Sequence, residues 1–295
     1  MILNHEITML DALNNHWPEY LMEAWGLGTF MVSACVFGVL LFHPNSYFVQ
    51  YSIVFRNVLM GIAMGTTAIG IFKSPWGKRS GAHINPVVTL TFFRLGKING
   101  NDAVLYVAAQ FVGGILGVLA AWLFLGDLLA AKGVNFVPTV PGAYGIVAAF
   151  IGEVVIAFLM MSMVLVTSNH LTLHRFTPFL AGLFISAYIA IEAPISGMSM
   201  NPARTLGSAV VGNTWTAWWI YFTAPPFAML AAAEVYLRIK GLRAVLCAKF
   251  DHSGSTRCIF NCRFNEIEGL NFTGGNATDT DAACPVVRME REIST

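Results

Sequence analysis

Six stretches of the chain stay apolar over the roughly 20 residues that a helix needs to cross a bilayer core. They cover 20–42, 53–72, 103–125, 144–167, 177–192 and 215–237, and Glu23 is the only charge in the first. Two more apolar runs, 85–93 and 201–211, are too short to cross alone. Each goes with one copy of a repeated polar phrase, SGAHINPVVTL at 80–90 and SGMSMNPARTL at 196–206. Both copies fit S-G-x-x-x-N-P-x-x-T-L. The pattern predicts an all-α membrane protein of six transmembrane helices plus two re-entrant half-helices.

Basic residues in short loops set the expected orientation. Lys73, Lys78, Arg79, Arg94 and Lys97 flank the first phrase, Arg175 separates spans four and five, and Arg238, Lys240, Arg243 and Lys249 follow span six. The other side carries only Arg56, Lys132 and Arg204. Both termini and the first phrase are therefore expected on the cytoplasmic side of a cell membrane, and the second phrase enters from outside. Repeat one (20–125) and repeat two (144–240) then form an inverted repeat. Broken segments in matching positions of such a repeat point to a transport pathway between the halves. Residues 1–19 read as a cytoplasmic segment, and 241–295 as a flexible cytoplasmic tail.

Composition agrees. Of 295 residues, 56% are hydrophobic and 11% charged, against about 25% charged in soluble domains. Lipid is the fitting solvent for such a chain. A net charge of +1 gives no electrostatic case for a nucleic-acid partner. The first 20 residues hold no Lys or Arg and no continuous apolar core, so no cleavable signal peptide is expected.

Asn is a favoured N-cap and Pro a favoured first helical residue. Asn85-Pro86 and Asn201-Pro202 thus each start a half-helix. The irregular backbone before them survives at membrane depth only when buried in protein or lining a water-filled cavity. On these motifs, with SGAH before the first and Arg in NPAR, residues 20–240 resemble the aquaporin (major intrinsic protein) family. Glu23 and Glu153 near the starts of spans one and four, and Gly65 and Gly182 in spans two and five, add to the match.

The resemblance implies a passive channel conducting water, one pore per protomer of a homotetramer, with no cofactor. The half-helices bring about half a positive charge each to the midplane. The two Asn amides donate to one water, and the positive midplane repels cations. Arg204 belongs to the family's narrow outer filter, with Met64, Met198 and Ile189, Tyr188 being the alternative to Ile189. Pore motif one is Asn85, Pro86 and Val87, and motif two is Asn201, Pro202 and Ala203. Glu23, Glu153 and His83 support the re-entrant loops, and no catalytic residue is expected. Without the family's usual aromatic and His, the filter becomes more apolar, which favours small neutral solutes such as glycerol, urea, ammonia or hydrogen peroxide. Thr205, Ser208-Ala209 and Tyr221-Phe222 instead resemble the water-channel pattern. Val87 stands where Ala is typical, and its extra methyls threaten to shift one Asn. A secondary transporter is the rival from another class, since inverted repeats with broken helices occur there too.

Four of five cysteines lie late, at Cys247, Cys258, Cys262 and Cys284. Cys258 and Cys262 show a C-x3-C spacing that zinc sites use, but the other spacings are irregular. The expectation from sequence is therefore no metal. Asn271 and Asn276 match glycosylation sequons, which a cytoplasmic placement leaves inert.

Overall fold

The computed structural model describes residues 8–252 and 256–264. Its helices are α1 (Met9–Phe42), α2 (Ile53–Lys73), α3 (Pro75–Ser80), α4 (Pro86–Arg94), α5 (Gly100–Leu125), α6 (Asp127–Ala130), α7 (Gly145–Ser168), α8 (Thr177–Ile191), α9 (Ala193–Ser196), α10 (Pro202–Gly212) and α11 (Ile220–Lys240). Among the described residues, six helices (α1, α2, α5, α7, α8 and α11) are long and apolar enough to cross a membrane. The two half-helices are α4 and α10. Asn271, Asn276 and Cys284 lie outside the described residues.

The packing has two-fold character. α1 runs along α5, α7 along α11, and α2 along α8, while α10 lies against α5 and α4 against α11. Small residues set these distances, because without a hydrophobic driving force between helices in lipid, close packing must hold them. A Cβ on Gly65 would sit 2.4 Å from the Gly182 carbonyl oxygen, and one on Gly113 would sit 2.2 Å from that of Ala24. No larger residue fits either crossing.

Two boundaries differ from expectation. The first helix starts at Met9, with Thr8 accepting from the Asp11 N–H as its cap. Its first turns are polar to suit one end of the bundle. His16 Nδ1 meets Asp102 at 2.8 Å, Tyr20 donates to Asp102 at 2.6 Å, and Glu19 meets Arg79 at 2.9 Å. The hydropathy pattern breaks at these charges, but the helix continues because each is paired, His16 with the buried Asp102 and Glu19 with the partly exposed Arg79.

The second correction concerns the tail. Residues 245–252 and 256–264 are packed, with Val245, Cys247, Ala248, Phe250, Phe260 and Phe264 all buried. Their apolar positions follow neither a helical nor a strand period, so the segment reads as loop. It is buried by docking against the end of the bundle.

Candidate functional site

The two repeated phrases meet at their Asn-Pro pairs. Asn85 Oδ1 accepts from the Val87 N–H at 2.9 Å, and Asn201 Oδ1 accepts from the Ala203 and Arg204 N–H groups at 3.0 and 3.2 Å. Each side chain thus caps its own half-helix. Each amide also donates across to the other loop: Asn85 Nδ2 to the Met200 carbonyl at 2.8 Å, Asn201 Nδ2 to the Ile84 carbonyl at 2.7 Å. A side-chain amide has two N–H donors, so one remains on each Asn. Both Asn residues line the same cavity.

Val87 leaves this arrangement intact. It is buried, it is not among the residues lining the cavity, and its cap bond matches that of Ala203 to within 0.1 Å (2.9 against 3.0 Å).

The loops before the Asn residues take a costly backbone form. Ala82 and Ile84 have φ of 54° and 40°, and Met198 and Met200 have 48° and 54°. Left-handed backbone costs a side-chain-bearing residue about 1–2 kcal/mol. Two buried carboxylates hold it in place. Glu23 accepts from the N–H groups of His83 (3.1 Å) and Ile84 (2.6 Å), from Ser80 Oγ (2.7 Å) and from Gln110 Nε2 (2.8 Å). Glu153 accepts from the N–H groups of Ser199 and Met200, both at 2.7 Å, and from Ser196 Oγ at 2.8 Å. Two tyrosines repeat the symmetry: Tyr106 donates to the Ser80 carbonyl at 2.8 Å, and Tyr221 to that of Ser196. The oxygens of Glu23 and Glu153 are thus taken up by donors of the two re-entrant segments and, for Glu23, by Gln110 of α5.

His83 ties the first loop further. Nε2 lies 2.9 Å from the Ala248 carbonyl, which only accepts, so Nε2 carries a proton; in the neutral ring Nδ1 is left to accept from the Thr89 hydroxyl at 3.0 Å. The ring is sandwiched between Phe92 and Phe260, with centroids 5.2 and 5.4 Å away.

One cavity of about 440 Å³ passes these groups. Val140, Pro141 and Gly142 line one end; Phe72, His83 and Phe250 line the other. Met64, Ile189, Met198 and Arg204 all line it. Tyr188 does not, and packs edge-on against Phe184 at 5.5 Å. Arg204 Nη1 is buried and has no hydrogen-bond partner among the described residues.

Sequence reasoning missed Asn57, Met60 and Phe250, which also line the cavity. Asn57, Met60 and Met64 share one face of α2 by their spacing of three and four, and that spacing was the available signal. Phe250 carried none, being part of an irregular segment.

Two half-helices meeting inside a six-helix bundle, with spare donors along one lumen, define a membrane channel. The chain belongs to the major intrinsic protein family, whose family model (Major intrinsic protein) matches residues 13–236. It is similar to the Nicotiana alata protein named "Probable aquaporin NIP-type", 36% identical over 167 residues, 56% of this chain and 59% of that one. It is also similar to aquaporin NIP1-2 of Arabidopsis thaliana, 34% identical over 191 residues, 62% and 63% of the two chains. The chain thus spans about 60% of the length of these relatives. Among solved structures, the aquaglyceroporin from Plasmodium falciparum matches with a TM-score of 0.62 over 77% of this chain and 98% of that one. At 16% identity this likeness speaks to the fold alone. Membership places the chain in a family of channels and not of enzymes.

Proposed function

We propose that the chain is a passive water channel that excludes protons and cations. The observation that carries this is the pair of crossed amides. Each Asn spends one N–H on the opposite loop and keeps one for the lumen. A water accepting from both has its own hydrogens turned away from the midplane, so it relays no proton. The N-termini of α4 and α10 add positive potential there, and the Arg204 guanidinium adds a full charge. Arg204 supplies a donor in place of lost hydration.

A second reading, a channel for small uncharged solutes such as glycerol or urea, is supported by the lining side chains. Met64, Ile189 and Met198 add apolar, adaptable side chains to the lining that Arg204 shares. That lining suits a solute with one apolar and one hydroxylated edge. We further propose a homotetramer in a cell membrane, with both termini and the His83 mouth facing the cytoplasm, as the basic loops imply.

Stopped-flow light scattering on proteoliposomes tests both readings. Osmotic shock with an impermeant solute is expected to give shrinkage well above that of empty liposomes, with no dependence on a proton or sodium gradient. Glycerol shock followed by fast re-swelling assigns the second reading. Flux that saturates and follows an ion gradient would overturn the channel in favour of a transporter.

A further inference from the structure

Four soft ligands stand together outside the pore. Cys247, His252, Cys258 and Cys262 each bring a ligand atom to within 4.8 Å of the others. Cys247 Sγ is 3.6 Å from Cys258 Sγ, and His252 Nε2 is 3.0 Å from Cys262 Sγ. Zinc binds thiolate sulfur at about 2.3 Å and imidazole nitrogen at about 2.0 Å, which puts tetrahedral ligand atoms roughly 3.5–3.8 Å apart. The separations in the cluster, 3.0 and 3.6 Å for these two pairs and no more than 4.8 Å for any, bracket that range. The Cys247–Cys258 separation is far beyond the 2.05 Å or so of a disulfide bond.

The donor set is selective. Three thiols and an imidazole suit zinc and not magnesium or calcium, which take oxygen ligands. With four protein donors the coordination sphere is closed, as in sites that hold structure.

The surroundings give such an ion something to hold. Apart from a one-turn helical bend at Leu242–Ala244, residues 245–252 and 256–263 form no helix or strand. Yet they reach across the His83 end of both halves. Leu246 N–H donates to Asn169 Oδ1 at 2.7 Å, Phe250 N–H to the Gly81 carbonyl at 3.2 Å, and Asn261 N–H to the Lys97 carbonyl at 2.9 Å. Asp251 takes Lys73 at 2.8 Å. A short irregular segment with few regular backbone bonds gains order most from a cross-link, and metal binding supplies it as folding free energy.

We propose that Cys247, His252, Cys258 and Cys262 bind one Zn²⁺, which clasps the segment over the His83 mouth of the pore. The site does not depend on which solute the channel passes.

The test is metal analysis of the full chain, purified in detergent without a polyhistidine tag or chelator, with thiols kept reduced. About one zinc per chain is expected. The double variant Cys258→Ser/Cys262→Ser is expected to lose the zinc while eluting as the same monodisperse species. Replacement by Co²⁺ in the wild type is expected to give the thiolate charge-transfer and tetrahedral absorption bands, a readout that needs no variant to fold. A wild-type chain that holds no zinc and takes up neither Zn²⁺ nor Co²⁺ on titration overturns the site. So does zinc retained by the double variant, or a Cys247–Cys258 disulfide found by peptide mapping.

Discussion

Asn85 and Asn201 hold each other's loops: each caps its own half-helix with its side-chain oxygen and reaches the carbonyl just before the other Asn with its nitrogen, at 2.8 and 2.7 Å. The two roles can be separated. Asn201→Asp keeps the capping oxygens but loses both donors and places a negative charge at the midplane. Asn201→Ala loses the cap as well, at a cost of about 1 kcal/mol. Water flux is expected to fall in both variants, and proton leak, read with a pH dye inside liposomes, to rise in Asn201→Asp. A fully active, proton-tight Asn201→Asp would show that the spare donor plays no part in conduction.

Glu23 and Glu153 each collect the two N–H groups that lead into an Asn. Glu→Gln keeps the shape but turns one accepting atom into a donor facing another donor. Hydrogen bonds to charged groups contribute about 1.5–3 kcal/mol each, so either variant is expected to destabilise by at least that much. Glu23→Gln is expected to be the worse of the two, because Gln110 also donates to Glu23. Thermal melting in detergent by intrinsic fluorescence measures this; unchanged melting temperatures in both would remove the carboxylates from the loop scaffold.

Arg204 lines the lumen with a buried, unpartnered Nη1. Nη1 has no acceptor among the described residues and the residue borders the lumen, so its charge is expected to act on what passes. Arg204→Val is expected to keep water flux, to admit glycerol and urea faster than the parent, and to leak cations. The fold is expected to tolerate the change, because Nη1 has no acceptor among the described residues that the substitution would leave unsatisfied. Stopped-flow rates for the three solutes, measured side by side, check it.

Legibility followed local chemistry. The half-helix starts were readable because Asn-Pro is a capping signal with one physical meaning, and the repeat doubled it. The crossing of Gly65 with Gly182 was readable from their matching places in spans two and five. Glu23 and Glu153 were readable because carboxylates inside a span demand partners. The span-one boundary was not, since Glu19 and His16 break the hydropathy pattern and only their distant partners, Arg79 and Asp102, keep the helix going. The metal-ligand cluster was hidden for a related reason. The cysteine spacing reads as irregular because the fourth member of the cluster is His252, which only the docked segment brings beside the three cysteines. Phe250 and Phe260 carried no periodic signal, and their burial is a property of the surface they dock on.

Phe250 is where the docked segment meets the lumen. It is buried, it packs on Phe72 with ring centroids 5.3 Å apart, and it lines the cavity at the His83 end. Removing its ring therefore does two things in the same direction. It widens the mouth, and it withdraws a buried aromatic contact whose loss costs about 3–5 kcal/mol in a well-packed core, which loosens the segment. Phe250→Ala is expected to raise osmotic permeability per channel while leaving the glycerol-to-water ratio unchanged, since Met64, Ile189, Met198 and Arg204 are untouched. Phe72→Ala removes the packing partner and is expected to act in the same sense but less, because Phe250 itself remains. Stopped-flow permeability normalised to channel number decides it. A Phe250→Ala channel no faster than the parent would mean that the narrowest point lies elsewhere along the lumen, and that the segment covers the mouth without limiting flow.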